Sequence, residues 1–368
     1  MLKSYDTGIL TFWNVPNYGT FIQAYALQKV LTEMQSDKDV RQIAYLHDTH
    51  RKFYYCPVPR MSKKSLAFWK RLIKNLLTLP AIKKREKAFN AVYETIPHTE
   101  AMDGQSLGTT AFKTVVLGSD IVWDYSIKVF GDDPYLFGVG LDAERVISYA
   151  ASFGTVKPGQ QVPEYVKQGL KNMSHISVRD DNSADMVESI CGVRPPIVLD
   201  PAWMWDFDKD PNVELPEIED YIVVYGQDFT PEFIEKLVRF AKQKEKKLVC
   251  LDCNDDNYPW CDVVIKQSEM TPYKWLGYLK KAEYVATSTF HGLTLGLIFQ
   301  KRIAFCKTDF ILAKISGMLK KLGIYDLFQD ESAVESMLCY NWDYSVISRI
   351  IDEEREQSKS YLREALDI

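Results

Sequence analysis

Short apolar runs alternate along this chain with longer stretches in which apolar residues recur every three or four positions. In the first half, the stretch 20–34 spaces its apolar residues like one face of a helix. Short runs of this kind predict buried strands, and their alternation with helices predicts a parallel sheet with right-handed crossovers. The predicted strands lie at 8–14, 40–45, 114–117, 146–150, 176–178 and 195–199.

The second half restarts this pattern after a segment rich in Asp, Glu and Pro at 204–219. The length of 368 residues also suits two domains better than one. We therefore predict an α/β protein with two Rossmann-like domains that face each other across a cleft, and ligands at the carboxyl ends of the strands. The predicted parts are domains at 1–205 and 206–345 and a C-terminal helix at 346–368, which could pack back on the first domain.

The segment 51–87 differs from the rest of the first domain in its charge. It holds twelve Lys and Arg residues against one acidic residue, Glu86. Apolar residues follow helical spacing between them, at Leu66, Trp69, Leu72, Ile73, Leu76 and Leu77. We predict a basic helical excursion over about 51–90. It could pack its apolar stripe on its own domain, or lie on an anionic membrane surface.

Composition narrows the class of protein. The net charge of −5 and the absence of a motif that reads RNA or DNA argue against nucleic acid as a partner. Seven cysteines, an odd number, and no signal peptide predict free thiols in the cytoplasm. Neither G-x-G-x-x-G nor the G-x-x-x-x-G-K-[ST] loop is present, so a nicotinamide or ordinary ATP site loses its main support. We expect no cofactor and no metal.

Two strand-end loops of the first domain carry residues suited to binding an anion. In the polar turn 14–20, Asn17 and Gly19 stand before a helix whose amides could bind phosphate or carboxylate; the alternative is a simple capped turn. Arg179 ends the strand at 176–178, and its planar guanidinium suits a carboxylate or phosphate. The alternative for Arg179 is a salt bridge to the adjoining Asp180 or Asp181.

The second domain offers His291, which opens a helix directly after a short buried strand. It could serve as a general acid–base near neutral pH, and the alternative is a capped, packed histidine. Ser288 and Thr289 add hydroxyl groups that could bind a donor or cap the helix, and Gly292 leaves room for a ligand or for backbone.

A further strand-end cluster lies in 118–124. Asp120 could orient a sugar hydroxyl or a catalytic base, with a cap as the alternative. Trp123 and Asp124 are candidates for contact with an acceptor sugar, since aromatic rings stack on sugars as well as fill cores.

Taken together, these segments resemble the polysaccharide pyruvyl transferase family. The resemblance covers most of the chain and keeps the family's order. Its stretches are NYGTFIQAYALQ (17–28), VLGSDIVW (116–123), SYAASFG (148–154), SVRD (177–180), LDP (199–201) and STFHG (288–292).

The resemblance implies a GT-B-like fold and transfer of the pyruvyl group of phosphoenolpyruvate to a sugar, with a ketal as product. It assigns the family's cleft arginine to Arg179 and its cleft histidine to His291. We expect Arg179, Ser288, Thr289, Asn17 and Gly19 to bind the donor, and His291 and Asp120 to be catalytic. Some members carry an arginine where this chain has Thr289.

The partner implied is a sugar acceptor, which could be lipid-linked, with the protein at the inner face of the membrane. Two alternatives remain open. One is a GT-B glycosyltransferase that uses a nucleotide-sugar, because a cleft arginine and histidine could also neutralise a diphosphate. The other is a non-catalytic sugar-binding relative, since a fold can persist while its function changes.

Overall fold

The computed structural model describes residues 4–56, 58, 63–130, 132–253 and 258–368. The chain divides into two compact units. Unit 1 is Met1–Met204 with Gln357–Ile368, and unit 2 is Trp205–Glu356. Each unit holds one sheet, and every strand pair in both sheets is parallel. The predicted α/β class is therefore confirmed.

Unit 1 has a four-stranded sheet in the order β2-β1-β3-β4. Its strands are β1 (Ser4–Leu10), β2 (Val40–Gln42), β3 (Ala111–Leu117) and β4 (Asp142–Ser148). Its first six helices are α1 (Tyr18–Met34), α2 (Asp48–Tyr55), α3 (Leu66–Tyr93), α4 (Gly104–Leu107), α5 (Glu164–Asn172) and α6 (Asp181–Cys191).

The central strands β1 and β3 are apolar toward their carboxyl ends because both sheet faces are covered there. Ile9, Val116 and Leu117 are fully buried. A parallel sheet covered on both faces needs such runs. The accessible polar groups at this edge of the sheet are therefore those that follow the strand ends.

The strands predicted at 176–178 and 195–199 are present only as single parallel bridges. Val178 bridges Ala151 on one side and Ile197 on the other. Pro195 and Pro196 have no amide hydrogen, so this segment cannot donate a regular ladder of hydrogen bonds. These bridges extend the parallel arrangement to Val178, the residue directly before Arg179.

Unit 2 has a five-stranded sheet in the order β7-β6-β5-β8-β9. Its strands are β5 (Tyr221–Tyr225), β6 (Lys247–Cys253), β7 (Val263–Lys266), β8 (Tyr284–Thr287) and β9 (Arg302–Phe305). The remaining helices are α7 (Pro231–Gln243), α8 (Pro272–Lys281), α9 (Phe290–Ile298), α10 (Asp309–Lys321), α11 (Val334–Leu338) and α12 (Tyr344–Leu366).

The end of α12 packs within unit 1. The hydroxyl of Ser358 accepts a hydrogen bond from the Leu199 amide at 3.0 Å. The hydroxyl of Tyr361 donates to the Ser148 carbonyl at 2.7 Å. These two contacts join the end of α12 to the carboxyl end of β4 and to the segment that leads to Asp200.

The basic excursion forms α2 and α3, while Arg60 lies outside the described residues. The C-terminal part of α3 buries Phe89, Val92 and Tyr93, but Trp69 and Leu77 in its N-terminal part are 54% and 77% exposed. Unit 1 therefore does not cover the apolar stripe of 66–77. No helix in the described ranges is long and apolar enough to cross a membrane.

The cysteines depart in one place from the expectation of free thiols. Free thiols are found at Cys56, Cys191, Cys261, Cys306 and Cys339. Cys250, buried in β6, is disulfide-bonded. The expectation was therefore wrong at this residue.

Candidate functional site

Two residues with strained backbone mark the carboxyl edge of the unit 1 sheet. Asp120 follows β3 with φ of 80°, and Ala150 follows β4 with φ of 53°. Such a backbone conformation costs a residue with a side chain of order 1–3 kcal/mol, and conformations of this kind cluster at functional sites. The two loops are joined by a bridge between Asp120 and Ala151.

Arg179 lies at the centre of this edge in a buried ion-pair cluster. Its Nη1 is 2.7 Å from Oδ2 of Asp200, and its Nη2 is 3.5 Å from Oδ1 of Asp120. Its side chain is only 6% exposed. Asp200 also accepts from the Ser119 hydroxyl at 3.1 Å. Both carboxylates come from other strand ends, so the predicted alternative of a pair with Asp180 or Asp181 had the wrong partners.

The charge balance of the cluster is acidic. Burial opposes the charged form of Arg179, but Asp200, Asp120 and Asp180 together raise the pKa of its guanidinium above the ordinary value. Asp180 itself caps α6 by accepting from the Ser183 amide at 2.8 Å. Three carboxylates therefore act on the single charge of Arg179, which leaves this guanidinium less suited to binding an anionic donor than predicted.

Hydrogen bonds to both oxygens fix the orientation of the Asp120 carboxylate. Its Oδ2 accepts from the Thr20 hydroxyl at 3.0 Å and its Oδ1 from the Ile121 amide at 2.8 Å. Its side chain keeps 15% exposure, more than Arg179 or Asp200. A carboxylate held on both oxygens and still reachable suits proton transfer or the binding of a sugar hydroxyl.

The turn before α1 forms the cap that was the alternative to an anion site. Asn17 accepts from the Thr20 amide at 3.2 Å, and Gly19 is buried in the first turn. Asn17 is therefore the N-cap residue that presents Thr20 to Asp120. Any contact with a donor would come from the exposed face of this cap.

Sequence reasoning missed two residues beside this cap. Tyr54 of α2 lies near Asp120, and burial together with this carboxylate raises the pKa of its hydroxyl. Arg85 of α3 donates to the carbonyl of Pro16 at 2.5 Å. Nothing in their spacing could reveal this, because the excursion reaches the turn only through its tertiary path.

Trp123 and Asp124 do not fit the predicted contact with an acceptor. Trp123 is fully buried and its indole N–H donates to the Leu136 carbonyl at 2.9 Å. Asp124 is 1% exposed and accepts from the Thr155 amide and hydroxyl at 2.7 and 2.8 Å. It also accepts from Ser126. Both residues hold the loop together, and neither presents a surface to a ligand.

In unit 2, the hydroxyls before α9 are used within the protein. Ser288 donates to the carbonyl of Gln227 and accepts from its amide at 3.0 Å. A hydroxyl has one hydrogen, so Ser288 cannot also donate to an anion. Thr287 donates to the Tyr225 carbonyl at 2.7 Å, and Thr289 caps the Gly292 amide at 3.0 Å. The predicted donor contacts of the Ser288 and Thr289 hydroxyls are therefore not supported.

Gly292 leaves no room for a ligand. A Cβ at this position would lie 2.7 Å from Oγ1 of Thr289 and 2.9 Å from Cβ of Thr287. The space that the missing side chain leaves is filled by the two threonines. Glycine is required here because the cap of α9 is packed against it.

His291 is the second residue of α9 and is half-buried. Its ring meets the ring of Phe290 edge-on, with centroids 4.9 Å apart. His291 lies in the first turn of this nine-residue helix, and helix N-termini can bind anions. His291 belongs to unit 2, whereas Arg179 and Asp120 belong to unit 1. Among the described residues, no group of His, Cys, Asp and Glu is arranged to hold a metal ion.

A family model described as polysaccharide pyruvyl transferase matches residues 17–309. This range includes the loops that carry Asn17, Asp120, Arg179 and His291. No protein of curated function matches the chain in sequence.

Solved structures resemble the chain over nearly its whole length. A protein from Listeria monocytogenes assigned as a UDP-N-acetylglucosamine 2-epimerase is 9% identical with a TM-score of 0.50, and the match covers 96% of this chain and 91% of that one. The UDP-GlcNAc 2-epimerase from Methanocaldococcus jannaschii is 10% identical with a TM-score of 0.49, over 95% and 99% of the two chains. The glycosyltransferase SnogD from Streptomyces nogalater is 12% identical with a TM-score of 0.38, over 100% of both. At this identity the likeness to the Listeria monocytogenes structure shows the fold alone, and it agrees with the two-unit α/β architecture described above.

Proposed function

Since the chain belongs to the polysaccharide pyruvyl transferase family, we propose that it moves the pyruvyl group of phosphoenolpyruvate to a sugar of a polysaccharide or glycolipid precursor. The product is a cyclic ketal across two hydroxyls, and inorganic phosphate is released. The observation that carries the proposal is the family match over residues 17–309, which spans the candidate loops of both units.

The reaction requires proton transfers and charge stabilisation. One sugar hydroxyl adds to the enol carbon of the donor while a proton reaches the methylene carbon, which becomes a methyl group. A second hydroxyl then attacks the same carbon, the bond to the phosphate oxygen breaks, and the proton of that hydroxyl leaves with the phosphate. A base near the hydroxyls and an acid near the methylene would therefore accelerate the reaction.

Asp120 is our candidate for the group that orients or deprotonates a sugar hydroxyl. Its support is its residual exposure and the fixed positions of both its oxygens, on Thr20 and on the Ile121 amide. His291 is our candidate for the acid–base, and the first amides of α9 are our candidates for binding the anionic donor. In this proposal Thr289 keeps its capping hydrogen bond from the Gly292 amide, and Ser288 ties the turn before α9 to Gln227.

For Arg179 we propose a positioning role in place of the predicted donor contact. The carboxylates of Asp200 and Asp120 already balance its charge at 2.7 and 3.5 Å. Arg179→Lys distinguishes the two roles, because lysine keeps the charge but loses the planar two-sided contact. A positioning role predicts a lower kcat with an unchanged KM for phosphoenolpyruvate, whereas donor binding predicts a higher KM.

The test is release of inorganic phosphate from phosphoenolpyruvate with a panel of nitrophenyl- and lipid-linked hexoses. We expect release that depends on an acceptor, and His291→Ala should lower kcat by about 10²–10⁴-fold. His175→Ala is the matched control and should retain the activity, because the backbone carbonyl that accepts from the Ser148 amide is kept.

A folded protein that releases no phosphate with any acceptor would contradict the proposal. In that case a panel of nucleotide-sugars would decide for the glycosyltransferase alternative if one of them raised the melting temperature and phosphoenolpyruvate did not. Binding of sugars without turnover of either donor would favour the non-catalytic alternative.

A further inference from the structure

The N-terminal part of α3 exposes an apolar stripe to solvent. Leu66, Trp69, Ile73, Leu76 and Leu77 are between 50% and 77% exposed. They recur every three or four residues, so they share one face of the helix. Monomeric soluble proteins rarely expose so many large apolar side chains in one patch, and such patches mark interaction surfaces.

The stripe is surrounded by positive charge. Lys70 and Lys74 are exposed beside it, and the segment 63–87 holds nine Lys and Arg residues against the single acidic Glu86. The whole chain, in contrast, has a net charge of −5. The positive charge is therefore concentrated on the same helix as the exposed apolar residues.

Pro80 separates this part of α3 from the part that packs on unit 1. Proline lacks an amide hydrogen, so the carbonyl of Leu76 loses its helical donor. Beyond Pro80 the helix buries Phe89, Val92 and Tyr93, whereas from Leu66 to Pro80 only Phe68 is buried. The exposed part is thus held at one end and presents its stripe outward.

We propose that the stripe of α3 from Leu66 to Leu77 docks on an anionic lipid bilayer. Exposed apolar residues with flanking lysines are what an interfacial helix needs, because the apolar side chains enter the acyl boundary and the lysines contact the headgroups. Trp69 stands in the stripe, and tryptophan favours this interface. A second copy of the chain fits less well, since two basic helices repel each other.

The same helix leads back to the candidate site, because Arg85 binds the Pro16 carbonyl in the turn before α1. A docked α3 would place this turn close to the membrane surface. The docking inference does not depend on the identity of the donor, so it stands or falls separately from the proposed reaction.

The experiment is co-sedimentation of the full chain with vesicles of phosphatidylcholine alone and with vesicles that also contain phosphatidylglycerol. We expect binding only to the anionic vesicles, and loss of it as salt rises from about 0.1 M to about 1 M, where the Debye length falls from about 10 Å to about 3 Å. Lys70→Glu with Lys74→Glu should weaken binding about tenfold or more. Trp69→Ser with Ile73→Ser should weaken it to a similar extent.

Matched controls separate the helix from general effects of charge and apolarity. Lys128→Glu with Lys157→Glu makes the same charge change at exposed sites elsewhere in unit 1, and Val193→Ser removes an apolar side chain that is 71% exposed. Both should bind like the wild type. Failure of the wild type to bind anionic vesicles at low salt would overturn the inference. So would equal losses in the controls, or a dimer in solution that Trp69→Ser with Ile73→Ser abolishes.

Discussion

Replacing Asp200 with Asn removes the closest charge partner of Arg179 and leaves the shape of the site almost unchanged. The pair is 2.7 Å apart, with side-chain exposures of 6% and 2%. Removing one partner of a buried pair costs about 3–5 kcal/mol, because the remaining charge stays buried. Asp120 remains at 3.5 Å as a weaker partner, so we expect the lower end, about 3 kcal/mol.

This loss translates into a large shift in melting temperature. Unit 1 comprises 216 residues. A change of 1 kcal/mol moves the melting temperature of a unit of this size by about 2–4 °C, so about 3 kcal/mol corresponds to about 6–12 °C. The assay is scanning calorimetry, with amide hydrogen exchange in β3 to assign the affected transition to unit 1.

The control is the same substitution at an exposed pair. Asp185 lies 2.5 Å from Arg194, with side-chain exposures of 53% and 41%. Surface pairs contribute about 0–1 kcal/mol, so Asp185→Asn should shift the melting temperature by at most about 4 °C. Equal shifts in the two variants would refute the reasoning, because burial is what separates them.

Three further predictions concern backbone, pH and catalysis. Gly292→Ala should destabilise unit 2 by about 1–3 kcal/mol, because the added methyl group would press on the threonine cap. Gly317→Ala in α10 has open space around it and should stabilise by up to about 1 kcal/mol. Urea unfolding of both variants measures the two effects. Burial raises the pKa of Asp133 above its ordinary value, although the hydrogen bond donated by Tyr45 acts in the opposite direction. The folded state then holds this proton more tightly than the unfolded state, so the free energy of unfolding falls as pH rises from the ordinary aspartate pKa through the raised one, and Asp133→Asn should make the pH dependence shallower. Arg179→Lys should lower kcat by about tenfold or more without raising KM for phosphoenolpyruvate, and steady-state kinetics that show only a higher KM would return Arg179 to donor binding.

Local pattern was enough to predict the α/β class and most of its elements. The helix predicted at 20–34 is the α1 of the structure, with Asn17 as its cap, because cap chemistry and apolar spacing are local properties. The strand ends that carry Arg179 and His291 were predicted for the same reason. The segment 195–199 failed as a regular strand because its two prolines cannot donate to a ladder.

Only the tertiary structure decided which polar groups are buried or bonded within the protein. No spacing could reveal that the carboxylates facing Arg179 come from Asp200 and Asp120, which lie 21 positions after it and 59 before it. The same holds for Trp123, whose burial follows from the packing of the loop around it. Sequence alone indicated which residues could do chemistry. The fold decided which of them keep an accessible atom, because hydrogen bonds and burial depend on neighbours that are distant in the chain.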